Sequence, residues 1–233
     1  MGPGSRAVIR PVVDDLQRIF GERLEAVAVY GARRRGLVPS LVLVKSLTIE
    51  DLTSCATRTT AWRRAGAGTP LVLTPSDFAR SLDAFPIEYG EILTTHDVVF
   101  GRDPFDGLTV KREDLRRACE VQVKSHLLHL REDYLEGGGR PADVELLVRE
   151  SAPGFAVVLR HLARLDDVPA TTNAEIADYA TRRIRLDDHL VDNMLALADA
   201  DDVTAPVDPA KMFPSYLEAM DKLAAFVDRW RER

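Results

Sequence analysis

The chain has 233 residues, 45% of them hydrophobic and 29% charged, with a formal net charge of −6. That is the composition of a globular protein with enough apolar mass for a real core, and it leaves one large domain or two small ones open. No apolar run approaches the roughly 20 residues of a membrane helix, and the first fifteen residues hold no continuous apolar stretch of the signal-peptide kind. The charge is uneven. Residues 1–110 carry 13 Lys+Arg against 13 Asp+Glu, and residues 111–233 carry 18 against 24. An acidic second half is a poor match for a nucleic-acid backbone. The two cysteines, Cys55 and Cys119, are too few and too far apart for a disulfide framework or a metal knuckle, and both sit in helical patterns as small buried residues. A cytoplasmic location is the expectation.

In chain order, Val8, Val12, Leu16 and Ile19 recur at a helical period, and Gly21 is placed to end that helix. Leu24 to Tyr30 and Leu41 to Val44 are strand candidates, the second apolar enough to lie inside a sheet. Residues 49–65 read as one helix with Leu52, Cys55, Ala56, Thr59 and Trp62 along a face. Pro70 to Thr74 reads as a strand and Ser76 to Leu82 as a short helix capped by Thr74 or Ser76. Glu88 to Ile92 and Asp97 to Phe100 read as further strands. Helices alternating with strands over this half predict a mixed α and β unit.

After Gly107 the pattern becomes helical. Leu115, Cys119, Val123, Leu127, Leu130 and Tyr134 define one helix face, which Gly137-Gly138-Gly139 ends. Residues 142–165 are helical, with Pro153-Gly154 expected to kink or split them. Thr172 and Glu175 have capping-box spacing. Residues 186–197 form a short helix, and Phe213, Leu217, Met220, Leu223, Val227 and Trp230 mark a last one. Residues 109–233 therefore read as an all-α bundle, with loops at 136–141, 166–172 and 200–208.

The strand leading into Tyr30-Gly31-Ala32-Arg33-Arg34-Arg35-Gly36 carries a resemblance. It is similar to the opening motif of the DNA polymerase β-type nucleotidyltransferase superfamily, in which a strand runs into Tyr-Gly-Ser and then into Ser-Asp-x-Asp on a second strand. The resemblance covers the first 110 residues in motif and the remainder in architecture, a two-domain plan comparable to that of the antibiotic-modifying nucleotidyltransferases. It implies an α+β fold, a nucleotidyltransferase-like mixed sheet with flanking helices over 1–108, then the helical bundle over 109–233. In the family the glycine turn offers backbone N–H groups to nucleotide phosphates, and the two aspartates hold two magnesium ions. Here the serine of the turn is Ala32. With Ser40 at the family serine, Leu41 and Leu43 stand where the aspartates belong, and no Asp or Glu occurs between Glu25 and Glu50. Leucine cannot ligate magnesium. A third carboxylate on a neighbouring strand would be Glu88 or Glu91.

The resemblance thus implies a pseudoenzyme that binds a nucleotide, another phosphate-bearing ligand or a protein partner, through Tyr30, Gly31, Ala32, Arg33, Arg34 and Arg35. Arginine forks suit phosphate oxygens, and a solvated loop is the alternative for the three arginines. No metal site and no cofactor is expected on this reading. Magnesium enters only with the alternative, an active transferase of a cationic acceptor such as an aminoglycoside, in which Glu88 and Glu91 rebuild a metal site and the acidic bundle attracts the acceptor. A structural dimerisation module is a third reading. Asp187, Asp188, His189 and Asp192 have helical spacing that could hold a metal, but an acidic first turn favoured by the helix dipole explains them more simply. His126 and His129, one turn apart, read as structural. Tyr134, Phe213, Tyr216, Trp230 and Trp62 read as core, and Asp199, Asp201 and Asp202 as a polar loop. Any ligand is expected near 30–36 and 88–91.

Overall fold

The protein, described by a computed structural model over residues 3–31, 36–199 and 208–231, falls into two compact units, Met1–Lys111 and Arg112–Arg233.

The first unit opens with α1 (Pro3–Phe20), whose apolar stripe of Ile9, Val12, Leu16 and Phe20 is buried. Gly21, at φ +55°, turns the chain out of the helix into a single 3-10 turn. Next come β1 (Leu24–Val29) and β2 (Ser40–Val44). The stretch expected to be one helix is two, α2 (Ile49–Ala56) and α3 (Thr59–Arg64). The hydroxyls of Thr53, Ser54, Thr57 and Thr59 each donate to a carbonyl three or four residues back, a local competition that favours a break. Cys55 and Trp62 are buried as expected, but Leu52 is 43% exposed. After β3 (Leu71–Leu73) comes α4 (Pro75–Arg80), capped by Thr74, whose hydroxyl accepts from the Asp77 N–H at 3.1 Å.

The expected strand at 88–92 is a helix, α5 (Pro86–Thr95). Proline at the first helical position presets the backbone, and Pro86, Tyr89, Gly90 and Ile92 share one buried face, a period of 3.6 that five residues had let pass for 2. The last strand is β4 (Asp97–Gly101).

The sheet order is β3-β2-β1-β4, with β1 antiparallel to both neighbours and β2 parallel to β3. This mixed sheet with flanking helices, followed by an all-α region, is the α+β arrangement expected from the sequence. One sheet face, with Val27, Val29, Val42 and Val44, packs with α1, Cys55 and Trp62. The other, with Ala26, Ala28, Leu41 and Leu43, packs with Phe78, Tyr89, Ile92 and Phe105. Trp62 Nε1 donates to Asp15 at 2.9 Å. Arg23 grips Asp51 with two bonds of 2.7 Å, and Asp51 also closes a capping box with Thr48.

The second unit comprises α6 (Arg112–Glu136), α7 (Pro141–Leu165), α8 (Asn173–Tyr179), α9 (Asp188–Ala198) and α10 (Pro209–Arg229). α7 packs against α6, α9 and α10. The kink or split expected at Pro153 does not divide it: α7 is one helix with Pro153 inside. Val148, Ala152, Phe155, Ala156 and Leu159 bury a continuous face on both sides of the proline, and tertiary packing of that face outweighs the lost backbone bond. The Thr172–Glu175 capping box is present. Of the aromatic residues expected in the core, Tyr216, Phe213 and Trp230 are buried, while Tyr134 is 38% exposed and stacks on Phe213 with centroids 4.8 Å apart. At the end of α7, Asp166 accepts from Trp230 Nε1 and Arg183 Nε, both at 2.8 Å, and from the Tyr179 hydroxyl at 3.2 Å. Burial pushes the Asp166 carboxyl up, but Arg183 and Trp230 outweigh it and hold it below the usual carboxylate range.

Candidate functional site

β1 delivers the chain to Tyr30, whose N–H donates to the Pro39 carbonyl at 3.3 Å, and then to Gly31 at φ +58°. The Gly31 N–H donates to Thr95 Oγ1 at 2.9 Å, and Thr95 Oγ1 donates to the Glu91 carbonyl at 2.7 Å. A Cβ on Gly31 would stand 2.6 Å from Glu91 Oε1. The left-handed backbone favours glycine here, while the close carboxylate is the end of a flexible side chain that can swing aside. Ala32, Arg33, Arg34 and Arg35 lie outside the described residues.

Of the two carboxylates singled out in the sequence, the structure brings Glu91 to the glycine turn and leaves Glu88 exposed on α5. Both belong to a helix and not to a strand. Thr95 gave no motif signal: it is recognisable only as the residue one helical turn after Glu91, which requires knowing that 86–95 is a helix.

The strand positions next to the turn are closed. Leu41 pairs with Ala28 and Leu43 with Ala26, and the two leucines are 1% and 2% exposed. Above them, Phe78 stacks on Tyr89 at 4.5 Å with planes 4° apart and meets Phe105 at 5.0 Å. This is a packed apolar face. On the opposite face Ser40, 1% exposed, has no hydrogen-bond partner for Oγ among the described residues.

β4 begins beside the same turn, with Asp97 paired to Val29. Arg6 from α1 holds Asp97 through bonds of 2.7 and 3.1 Å, which keep the Asp97 carboxyl below its ordinary range. His96 places Nδ1 3.0 Å from the Ile92 carbonyl and Nε2 3.1 Å from Asp103. The Phe105 N–H, and then His96, hold the Asp103 carboxyl down. These pairs are separated in sequence by 91 and 7 residues, and no spacing pattern announces them.

Among the described residues of the second unit, Asp187 caps α9 by accepting from the Leu190 N–H at 2.8 Å, and Asp188 accepts from the His189 N–H at 2.9 Å. His126 Nε2 meets the buried Tyr216 hydroxyl at 2.5 Å, while His129 faces Ser125. Asp201 and Asp202 lie outside the described residues. No group of three or more His, Cys, Asp and Glu among the described residues is placed to hold a metal ion. No described helix is long and apolar enough to cross a membrane.

The sequence matches no model of a known protein family and no curated protein. The fold does match solved structures. One is the spectinomycin adenyltransferase AAD(9) from Enterococcus faecialis, in a crystal with ATP and spectinomycin. The match has a TM-score of 0.57 at 10% identity and covers 93% of this chain and 98% of that one. At that identity the likeness is one of fold, and it spans both units.

Proposed function

We propose that this protein is a nucleotidyltransferase-fold protein that works by binding and not by nucleotidyl transfer. The observation that carries this reading is the burial of Leu41 and Leu43 under Phe78, Tyr89, Ile92 and Phe105. Two-metal phosphoryl chemistry needs alternating carboxylates on an open strand face, and losing such an electrostatic device removes orders of magnitude in rate. Here those two positions are core. In this reading, residues 1–108 are the nucleotidyltransferase-like domain and 109–233 the helical-bundle domain, and the protein is cytoplasmic. Its ligand is a nucleotide or another phosphate-bearing molecule, met by the turn from Tyr30 to Arg35, or a protein partner at the same place.

One observation favours the alternative of an active transferase: the AAD(9) structure was solved with ATP and spectinomycin. For this chain that reading requires a second carboxylate beside Glu91 on one metal. The deciding experiment is calorimetric titration with ATP, GTP, CTP and UTP, each with magnesium and with EDTA, alongside incubation with labelled ATP and spectinomycin. Binding without transfer supports the proposal, and label on the acceptor refutes it. Absence of any binding, with a dimer in light scattering, would leave the dimerisation module.

A further inference from the structure

The second unit contains a cleft of its own. Glu113, Arg116 and Glu120 stand at i, i+3 and i+7 on one face of α6, and together with Asp228, Trp230 and Arg231 at the end of α10 they line a volume of about 580 Å³. That volume is in the range of sites that take small organic molecules. Most of the charge in the walls is paired internally. Arg116 donates to Glu120 at 2.8 Å, and Lys124 reaches Glu120 at 2.6 Å and Asp228 at 2.8 Å. Trp230 Nε1 donates to Asp166, which Arg183 holds in turn. These bonds fix the walls before any ligand arrives.

Two charges remain. Glu113 has no hydrogen bond or ion pair with a described residue. Arg231 donates from Nη1 to the Asp228 and Trp230 carbonyls at 3.1 and 2.8 Å, and its Nε–Nη2 edge has no partner among the described residues. That edge is the fork that takes a carboxylate through two parallel bonds. We infer that this cleft binds a small zwitterion of the α-amino-acid class, with its carboxylate on the Arg231 fork, its ammonium on Glu113 and an apolar side chain against the Trp230 indole. A simple anion would meet the Glu120 and Asp228 carboxylates, and a simple cation would leave the Arg231 fork unpaired. A ligand carrying both charges satisfies both walls. The site lies wholly within the second unit, so the inference is independent of the reading of the Gly31 turn.

The test is calorimetric titration of the full chain with leucine and phenylalanine, with phenylalaninamide, which lacks the carboxylate, with N-acetylphenylalanine, which lacks the ammonium, and with putrescine. Arg231→Gln and Glu113→Gln are titrated in parallel, and thermal melting verifies that each is folded. Both charges are exposed, so the amide and the acetylated compound should each bind about five- to tenfold more weakly than phenylalanine. Arg231→Gln should abolish the difference between phenylalanine and its amide and keep the difference from the acetylated compound, and Glu113→Gln should do the reverse. The indole N–H resonance of Trp230 should move on binding while that of Trp62 stays. No binding of either amino acid at millimolar concentration would overturn the inference. So would equal affinity for phenylalanine and its two derivatives, tighter binding of putrescine, or affinities that neither substitution changes.

Discussion

Replacing Leu43 with aspartate places, at one position, the residue type that a metal-binding strand would need, and it should unfold the first unit and not create a site. Leu43 is 2% exposed and lies within a cluster with Ala26, Phe78, Tyr89 and Ile92. Losing a buried leucine removes about 2–5 kcal/mol when the surroundings cannot collapse. A carboxylate in that place must then either stay charged without a partner or take up a proton at neutral pH. Fully buried acids show pKa values raised by about 3–5 units, equivalent to roughly 3 kcal/mol or more near pH 7. Together the two effects approach the roughly 5–15 kcal/mol that a whole domain has in reserve. Trp62, in the core of this unit, reports its unfolding by fluorescence in a urea titration, with far-ultraviolet circular dichroism as a second probe. Leu43→Asn isolates the polar cost without the charge, and Leu52→Asp, at a 43% exposed position, should change stability by no more than about 0.5 kcal/mol. A Leu43→Asp protein that remained folded with a loss under about 1 kcal/mol, and that bound magnesium, would show the face to be open and would refute the argument from packing.

Three smaller experiments test other parts of the structure. Arg23, and then the Thr48 bonds, depress the Asp51 carboxyl to about 2, so its contribution is complete above the unfolded carboxylate pKa near 4 and is lost as pH falls from there towards 2. Because Arg23 is partly exposed, Asp51→Asn should remove about 1–2 kcal/mol at neutral pH and flatten that acid limb in urea titrations. Ser40→Ala removes a buried hydroxyl that has no partner among the described residues, and chemical denaturation should show it neutral or stabilising by up to about 1 kcal/mol. Burial, and secondarily His129, lowers the His126 pKa, so the unfolded chain binds the proton first and stability falls as pH drops below about 6.5, the unfolded histidine value. His126→Gln should abolish that part of the pH dependence, and Tyr216→Phe should remove about 1 kcal/mol at pH 8 by breaking the 2.5 Å bond.

Where a pattern was long and one face was buried, the sequence was readable. Val123, Leu127 and Leu130 on α6, and Met220, Leu223 and Val227 on α10, repeat at helical spacing because each points into one core. Thr172 and Glu175 were legible because a capping box is local chemistry. The misread elements were short or internally divided. In α5, Ile87-Glu88-Tyr89 alternates over too few residues to separate one period from the other, and the burial of Tyr89 and Ile92 is decided by the sheet residues they pack with. The break between α2 and α3 comes from four hydroxyls competing with the backbone, and propensity reasoning does not weigh that effect. At the candidate site, the glycine turn was visible in the sequence, but its neighbours were not. Arg6 reaches Asp97 across 91 positions and Gly31 reaches Thr95 across 64, and one sequence gives no means of pairing them.

The two faces of α5 bind these observations together. Tyr89 and Ile92 turn inward and close the sheet over Leu41 and Leu43, while Glu91 and Thr95, on the side nearer the strand end, reach Gly31. The packing that fills this sheet face is thus the same packing that sets a carboxylate and a hydroxyl at the glycine turn. An open, carboxylate-lined face would lack the aromatic contacts that fix α5, and the turn would lose its internal partners with them. Filling the face and occupying the turn are two consequences of one helix docking. The Leu43→Asp substitution therefore tests both at once, because it attacks the docking on which the partners of Gly31 depend.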